Sequence, residues 1–547
     1  MVENQVSWLP HLTEEIVSDA RGPELDAYAI ALEGWRRGLT LRWHAKDSEK
    51  FSEMDTWFVD RPGKLFSLSS EDKTHYFFRT RGDKVTNEAV RIGGDKEKTK
   101  SLLTKAGVCT PISKQFKLST ENYDHILQYA ASIGYPLVIK PVNGSFGKGV
   151  FTDIKDEIEL AKTMNYLNGK YESEDVLVEK HVEGTDYRLY VIEDKVVGAI
   201  KRIPANIVGD GVHSIKDLIY EKNQERKKNP RLISCPIKIN DDIKSFLQKK
   251  SLDLFTVPKQ GEVVFLTDKS NISIGGDPID SLDDLPYSIK KLGVEAIKSI
   301  PGLYHGAVDV IVEGEGDNCI GYVLELNPSA QIGSILFPEE GEARDVPGAI
   351  IDYYFPETIN TSTDYKKVFF SLSDVLEPLI TKTATVTTVS PAPVGKIYAT
   401  KYTLMGDVQN VAYHRGIRKQ AFERRHSGYI KNLSNGNIEV VVMGTCDDTV
   451  NNFHEALISD TERADVRDII QEKWNGPVKV GFEVKADLKT QIEQFKFLKK
   501  QMELVRSDLK IVEKQNRAIE KSITWRMTFP IRKISDLLKI IGRKMNN

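Results

Sequence analysis

A lysine at the end of an apolar strand, followed by a run of small residues, can close around phosphate oxygens. Residues 134–150, GYPLVIKPVNGSFGKGV, have this arrangement: Lys140 ends a Val/Ile-rich strand, and Gly144, Ser145, Gly147 and Gly149 follow. Small residues let backbone N–H groups approach an anion, and the lysine adds a point charge. The spacing does not fit GxxxxGK[ST], which argues against a P-loop. A second group lies downstream, with Asp309 in HGAVDVIVE and Glu325 and Asn327 in GYVLELNPSAQIG. Strand alternation places Glu325 and Asn327 on one face, so their oxygens can converge with those of Asp309 on one hard cation. Oxygen-only ligands suit magnesium rather than zinc, and carboxylates in such apolar strands need a counter-charge.

The elements that must position these residues fall between 93 and 356, where helices alternate with Val/Ile-rich strands and Gly-containing loops follow strands. Before them, residues 1–92 read as a small α/β lead-in domain, with a helix over 24–38 and strands at 39–43 and 56–59. Thr and Ser clusters mark 357–394 as a linker holding one helix near 372–380. A second α/β unit spans 395–485. In 486–523, apolar residues at Leu498, Met502, Val505, Leu509, Val512, Ile519 and Ile523 alternate four and three apart, with Asn516 at an a-type position. This predicts a coiled coil, and a buried Asn favours a parallel homodimer. The alternative is a helix folded back on its own domain. Residues 524–547 carry an excess of basic charge and a helical apolar stripe, an expected amphipathic tail that lies on an anionic membrane surface or docks on a partner.

At 547 residues the chain is too long for one core, and 40% apolar with 28% charged residues excludes wholesale disorder. The net charge of -3 gives no sign of a nucleic-acid partner. The absence of a long apolar run and four scattered cysteines lead us to expect a cytoplasmic protein, peripheral to a membrane at most.

Five separated segments in order strengthen the phosphate-site reading: GGDKEKTKSLLTKAGVCTP with Lys96, the Lys140 segment, VLVEKHVEGTDYRLYVI with Glu179, Asp186 and Arg188, and the Asp309 and Glu325 strands. Together they resemble the ATP-grasp superfamily. That resemblance implies a fold of two α+β lobes clasping ATP, with Lys96 and Lys140 on phosphates and residues 179–182 (Glu179, Lys180 and Val182 among them) facing adenine. Asp186 would hold the ribose, and Asp309, Glu325 and Asn327 would carry Mg2+. The reaction implied is ligation of a carboxylate to an amine through an acyl phosphate. KRIPANIVGDGVHSIKDLI and VPKQGEVVFLTDKSNISIGGDPID are similar to the ATP-grasp halves of cyanophycin synthetase and the fused bacterial glutathione synthetase, which join amino-acid or peptide substrates. In that light Arg188 and Arg202 are candidates for binding a substrate carboxylate or acyl phosphate, with Ser273, Gly275 and Gly276 as a backbone wall.

Residues 402–422 and 427–444 resemble an acylphosphatase domain, a ferredoxin-like sandwich. Asn432 matches that family's water-orienting Asn, whereas His414 falls where its Arg belongs and Asn410 where a loop Gly belongs. The tail string S-x-T-W-R-x-T-x-P-x-R resembles tails beside bacterial surface-polysaccharide glycosyltransferases, which suggests a role in modifying a cell-surface polymer. The leading expectation is therefore an ATP-grasp carbon–nitrogen ligase. The alternatives are an acylphosphatase-type hydrolase and a non-enzymatic, ATP-switched coiled-coil scaffold.

Overall fold

The computed structural model describes residues 6–48, 51–118, 122–142, 149–170, 175–361, 367–393, 395–409, 411–459 and 462–485, with 502, 505, 506, 509 and 512 beyond them. It divides into two compact units, one of residues 1–398 and 475–480, the other of 399–474 and from 481 on.

The first unit begins with helix Pro23–Arg36, which starts at a proline suited to the first helical turn. It is buried along most of its length against an antiparallel sheet ordered Val386–Thr388, Thr40–His44, Leu65–Ser69, Thr74–Phe78, Arg81–Gly82. The strand expected at 56–59 is absent: Phe58 takes a positive φ of 52°, which breaks an extended run, although Trp57 and Val59 still pack in the Phe51–Phe78 cluster. Residues 357–394, expected as a linker, carry helix Leu372–Ile380 and are also woven into this sheet. Their carbonyls at Val368, Phe370 and Ser390 accept from Arg36 Nε, Tyr28 Oη and Trp35 Nε1 at 2.7–2.8 Å. Thr/Ser-rich composition hid an edge strand whose pairing is supplied by residues more than 300 positions earlier.

Two further sheets follow. The smaller, ordered Ser113–Lys117, Asp175–Lys180, Leu137–Pro141, Phe151–Ile154, is antiparallel and backed by helices Tyr123–Ile133 and Glu157–Lys170. Leu137, Ile139, Val176 and Val178 face those helices, so alternation turns Val138, Lys140 and Glu179 to the other side. The central sheet runs Asp277–Asp280, Lys195–Ile203, Thr185–Ile192, His305–Glu313, Ile320–Asn327, also antiparallel. Its Leu189, Val191, Val308, Val310, Val323 and Leu326 pack on helix Tyr287–Lys298, leaving the opposite face for polar residues. Between 203 and 277 an excursion builds its own core around Ile207, Ile215, Leu218, Ile219 and Leu247.

The second unit is a sheet ordered Asp465–Lys473, Tyr398–Asp407, Ile438–Gly444, Ser427–Asn432, Phe482–Lys485. Helix Val411–Glu423 and the short helices Asp447–Asn451 and His454–Ile458 complete a split βαβ sandwich of ferredoxin-like type, with Ile417, Ala421, Phe453 and Leu457 closing on Tyr402, Leu404, Ile430 and Val440. Met502, Val505, Leu509 and Val512 are helical and exposed; the remaining coiled-coil positions, and the basic tail, lie outside the described residues. Among the described residues no helix is long and apolar enough to cross a membrane, and all four cysteines are free.

Candidate active site

A cleft of about 1780 Å³ in the first unit is lined by both the small sheet and the polar face of the central sheet. On the small sheet, Glu179 is buried between two ammonium groups: Lys140 Nζ lies 3.1 Å from Oε1, and Lys100 Nζ bonds Oε2. Burial alone would raise the Glu179 carboxyl, but the two lysines hold it below the ordinary range. Lys96, first residue of helix Lys96–Lys105 behind the cap Asp95, donates to Val142 O at 2.9 Å. That contact places it where strand Leu137–Pro141 enters the Gly loop. Burial, and Lys140 close by, lower its ammonium pKa. Gly144, Ser145 and Gly147 lie outside the described residues. Lys180 and Val182 line the cleft, with Lys180 Nζ donating to Tyr135 O at 2.7 Å.

The central sheet presents a charged row set by its register. Arg188 is opposite Asp309, and Asp309 is opposite Glu325; two residues along, Asn327 is opposite Ala307. A register shift beside Asp309 makes room for the extra Leu324, a bulge that re-aims the end of the Glu325 strand. Arg188 grips Asp309 with two parallel bonds of 2.7 and 2.8 Å, and Arg202 Nη1 adds a contact at 3.4 Å. Despite burial, these guanidinium groups hold the Asp309 carboxyl down at about 2. Arg202 also binds Asp186 Oδ1 through Nε and Nη2, at 2.9 and 2.5 Å, while Ser270 Oγ bonds Asp186 Oδ2.

Among the described residues Arg202 engages Asp186 through Nε and Nη2 and Asp309 through Nη1, Arg188 engages Asp309 through Nε and Nη2, and Asp186 accepts on both oxygens. The cause is the cost of a buried charge: apolar strands carrying two carboxylates demand two arginines from the neighbouring strands.

Glu325 is open to the cleft but walled by protein on its sides. That desolvation, with Asp309 alongside, raises its carboxyl pKa. Asn327 has a buried Nδ2 with no partner. A carboxylate destabilised by its neighbour suits a hard cation, which would lower its pKa, and the Asn327 amide oxygen can serve the same cation; the orphaned Nδ2 is a hydrogen-bond donor and calls for an acceptor instead. Among the described residues no three His, Cys, Asp or Glu converge, so such a cation would rely on Asp309, Glu325 and the Asn327 amide oxygen.

Ser273 lines the cleft, and Gly275 and Gly276 follow it; a Cβ on Gly276 would come within 2.9–3.0 Å of three backbone oxygens, so the close approach requires glycine. Sequence reasoning missed Lys100 and Ser270. Lys100 belongs to the KEKTK run, where a lysine reads as solvated; its only signal was its place four residues after Lys96 on one helix face.

In the second unit, His414 lies in the first turn of helix Val411–Glu423, buried, with Nε2 unpartnered. Burial pushes its pKa down. Gln409 Nε2 donates to Leu433 O and Asn437 O at 2.9 and 3.1 Å, which clips the preceding loop to the turn after Asn432. Asn432 Oδ1 is likewise buried and unpartnered, Arg415 is exposed, and Asn410 lies outside the described residues.

Residues 93–210 match the model of the RimK-like ATP-grasp domain, and residues 400–484 that of acylphosphatase. The chain thus carries an ATP-grasp domain followed by an acylphosphatase-like domain, on an α/β multidomain fold. It is 31% identical over 274 residues to cyanophycin synthetase of Crocosphaera subtropica, covering 49% of this chain and 31% of that protein. To the glutathione biosynthesis bifunctional protein of Enterococcus faecalis it is 29% identical over 273 residues, 48% of this chain and 35% of the relative. Among solved structures, a bifunctional glutathione synthetase from Pasteurella multocida aligns with a TM-score of 0.42 at 27% identity, covering 54% of this chain and 41% of that one. The chain spans about a third of the length of these curated relatives.

Proposed function

We propose that the chain is an ATP- and magnesium-dependent carboxylate–amine ligase acting on an amino acid or peptide. The observation that carries this reading is the Arg188–Asp309–Glu325 row with Asn327, lining the same cleft as Lys96, Lys140 and the Glu179 pair. In it, Lys96, Lys140 and the Gly144, Ser145 and Gly147 loop hold phosphates, and Glu179, Lys180 and Val182 border the base. Asp309, Glu325 and Asn327 hold magnesium, which neutralises phosphate charge and orients the transferred group. Asp186 positions Arg202, and both arginines keep the carboxylate row ionised. The chain then needs no side-chain nucleophile: a substrate carboxylate attacks the γ-phosphate, and an amine displaces phosphate from the acyl phosphate. Asn432 and His414 belong to a module that holds an acidic group rather than hydrolysing it. Pairing through the coiled coil extends the proposal, supported by exposed Met502, Val505, Leu509 and Val512 on helix. So does work on a cell-surface polymer, supported only by the tail string.

The test is incubation with ATP, Mg2+ and a panel of amino acids, with mass spectrometry of the products. A condensed product with stoichiometric phosphate release supports the ligase. Phosphate release independent of any amine and abolished by Asn432→Ala supports the hydrolase instead.

A further inference from the structure

One wall of the cleft, the turn at residues 270–276, is held from behind by a group of charges separate from the carboxylate row. The turn is compact: Gly275 N donates to Ile272 O and Gly276 N to Asn271 O, at 3.1 and 3.2 Å, so the cleft-lining Ser270 and Ser273 move with Gly276. Its anchor is Arg226, the last residue of helix Ile215–Arg226 and only 2% exposed. Arg226 Nη2 donates to Gly276 O at 3.1 Å and to Cys235 O at 2.9 Å, while Nη1 meets Asp277 Oδ1 at 2.7 Å. Asp277 is engaged on both oxygens, because its Oδ2 accepts from Lys222 Nζ at 2.5 Å and from Asn206 Nδ2 at 2.8 Å.

A second carboxyl group is pressed into this cluster. Glu339 lies beside Asp277, close enough for one proton to join the two. Its Oε2 is buried, has no hydrogen-bond partner and stands 3.6 Å from Arg226 Nη1, which already faces Asp277. As a carboxylate, Glu339 leaves that buried oxygen unsatisfied. As an acid it donates to Asp277, and the cluster is complete. Burial and the Asp277 charge raise its pKa to about 7, with Lys222 and Arg226 opposing. The turn after the helix, whose Asn229 Nδ2 donates to Phe337 O at 3.1 Å, carries Arg231, which is hydrogen-bonded to Gln331. On the loop of Glu339 itself are Glu340, Glu342 and Arg344, the last paired with Asp280, Asp283 and Glu342.

We infer that Glu339 and Asp277 form a proton-held clasp that positions the 270–276 wall of the cleft through Arg226. The loop carrying Glu339 lies along the edge strand: Glu339 N donates to Pro278 O at 2.8 Å, and Asp280 N to Glu340 O at 3.0 Å. When the shared proton leaves for solvent, which the 31% exposed Glu339 side chain reaches, Glu339 becomes a second acceptor competing for Arg226 Nη1. A guanidinium is rigid and planar, so turning Nη1 toward Glu339 draws Nη2 off Gly276 O and Cys235 O. Lys222 and Asn206 keep Asp277 in place, and the wall loses its anchor. Ser270, which bonds Asp186, links the same wall to Arg202 and so to the carboxylate row. The clasp goes beyond the ligase reading, since it acts on the wall whatever the cleft binds.

The test is amide hydrogen exchange of the full chain without ligand, read as the protection factor of the segment spanning residues 270–276 against pH. With an ordinary carboxyl in the released form, protection is expected to fall about tenfold between pH 6 and pH 8. Strand Thr185–Ile192 should show no such change. Glu339→Gln, whose amide donates to Asp277 at any pH, is expected to keep the parent's pH 6 protection throughout. The parent's own profile needs no variant and stands as an independent measurement. Protection in the parent that ignores pH, a slope that survives Glu339→Gln, or an equal slope in strand Thr185–Ile192 would overturn the clasp. No ATP or substrate is present, so a chain that forms no condensed product would sink the ligase reading and leave the clasp standing; condensation with a flat exchange profile would do the reverse.

Discussion

The cleft of the first unit and the corresponding place in the second treat charge in opposite ways. In the cleft, Glu179 has two lysines, Asp309 two arginines and Asp186 an arginine and a hydroxyl. At His414 and Asn432 one polar atom each, Nε2 and Oδ1, is buried and unpartnered, and burial lowers the histidine's pKa. Handling a phosphoryl group needs fixed positive charge that stays in place when the ligand leaves; the first site holds it in carboxylate networks, whereas His414 carries none. The networks of carboxylates there are what hold the cations ready, since an isolated buried guanidinium or ammonium would be costly.

The sharpest break of this contrast is Glu325→Gln. Among the described residues Glu325 has no ion pair to lose, so the fold should persist while a cation ligand is removed. ATP turnover is expected to fall on the order of 1000-fold, with an unchanged thermal melt. A loss under tenfold would mean that the row does not carry the metal. Next comes Lys100→Met, which leaves Glu179 with one partner. Breaking a buried pair costs about 3–5 kcal/mol, read as a lower denaturation midpoint. An unchanged midpoint would show that Lys140 alone compensates.

How far these networks could be read from sequence depends on how local they are. Lys140, Asp309, Glu325 and Asn327 were legible because strand alternation and apolar flanks fix their face. The arginine assignments were only half legible: the residues were found, but which carboxylate each serves depends on strand order 277–203–192–305–327, a pairing across up to 121 positions. Lys100 was invisible for the same reason, as Glu179 is 79 residues away. The edge strand Val386–Thr388 was read as linker because its partner Thr40–His44 is remote and its Thr-rich sequence lacks a hydrophobic run.

The third prediction rebuilds what the second unit lacks. His414→Arg restores a permanent guanidinium in the first turn of its helix, beside the turn that Gln409 holds against Asn432. Hydrolysis of benzoyl phosphate is expected to rise about 100-fold over the parent chain, and Asn432→Ala should abolish the gain. If the parent already hydrolyses as fast as the variant, neutral His414 suffices and the contrast between the sites fails.

The smallest effect is on pH dependence. Burial lowers the folded pKa of His414, and likewise of His426, below the unfolded value of about 6.5. Between the two values the unfolded chain binds more protons than the folded one, so stability rises with pH through that window. It is fully present above about 6.5 and lost as pH falls toward the folded values. His414→Gln, with nothing to protonate, should flatten the change in the second unit's denaturation midpoint between pH 7.5 and 5.5. In the first unit, burial lowers the pKa of His44 to about 4 and that of His305 to about 3, which gives the same sign over a wider acid range. A second unit whose slope is untouched by His414→Gln would place its acid sensitivity at His426, whose Nε2 meets the Thr449 carbonyl and whose Nδ1 is buried without a partner.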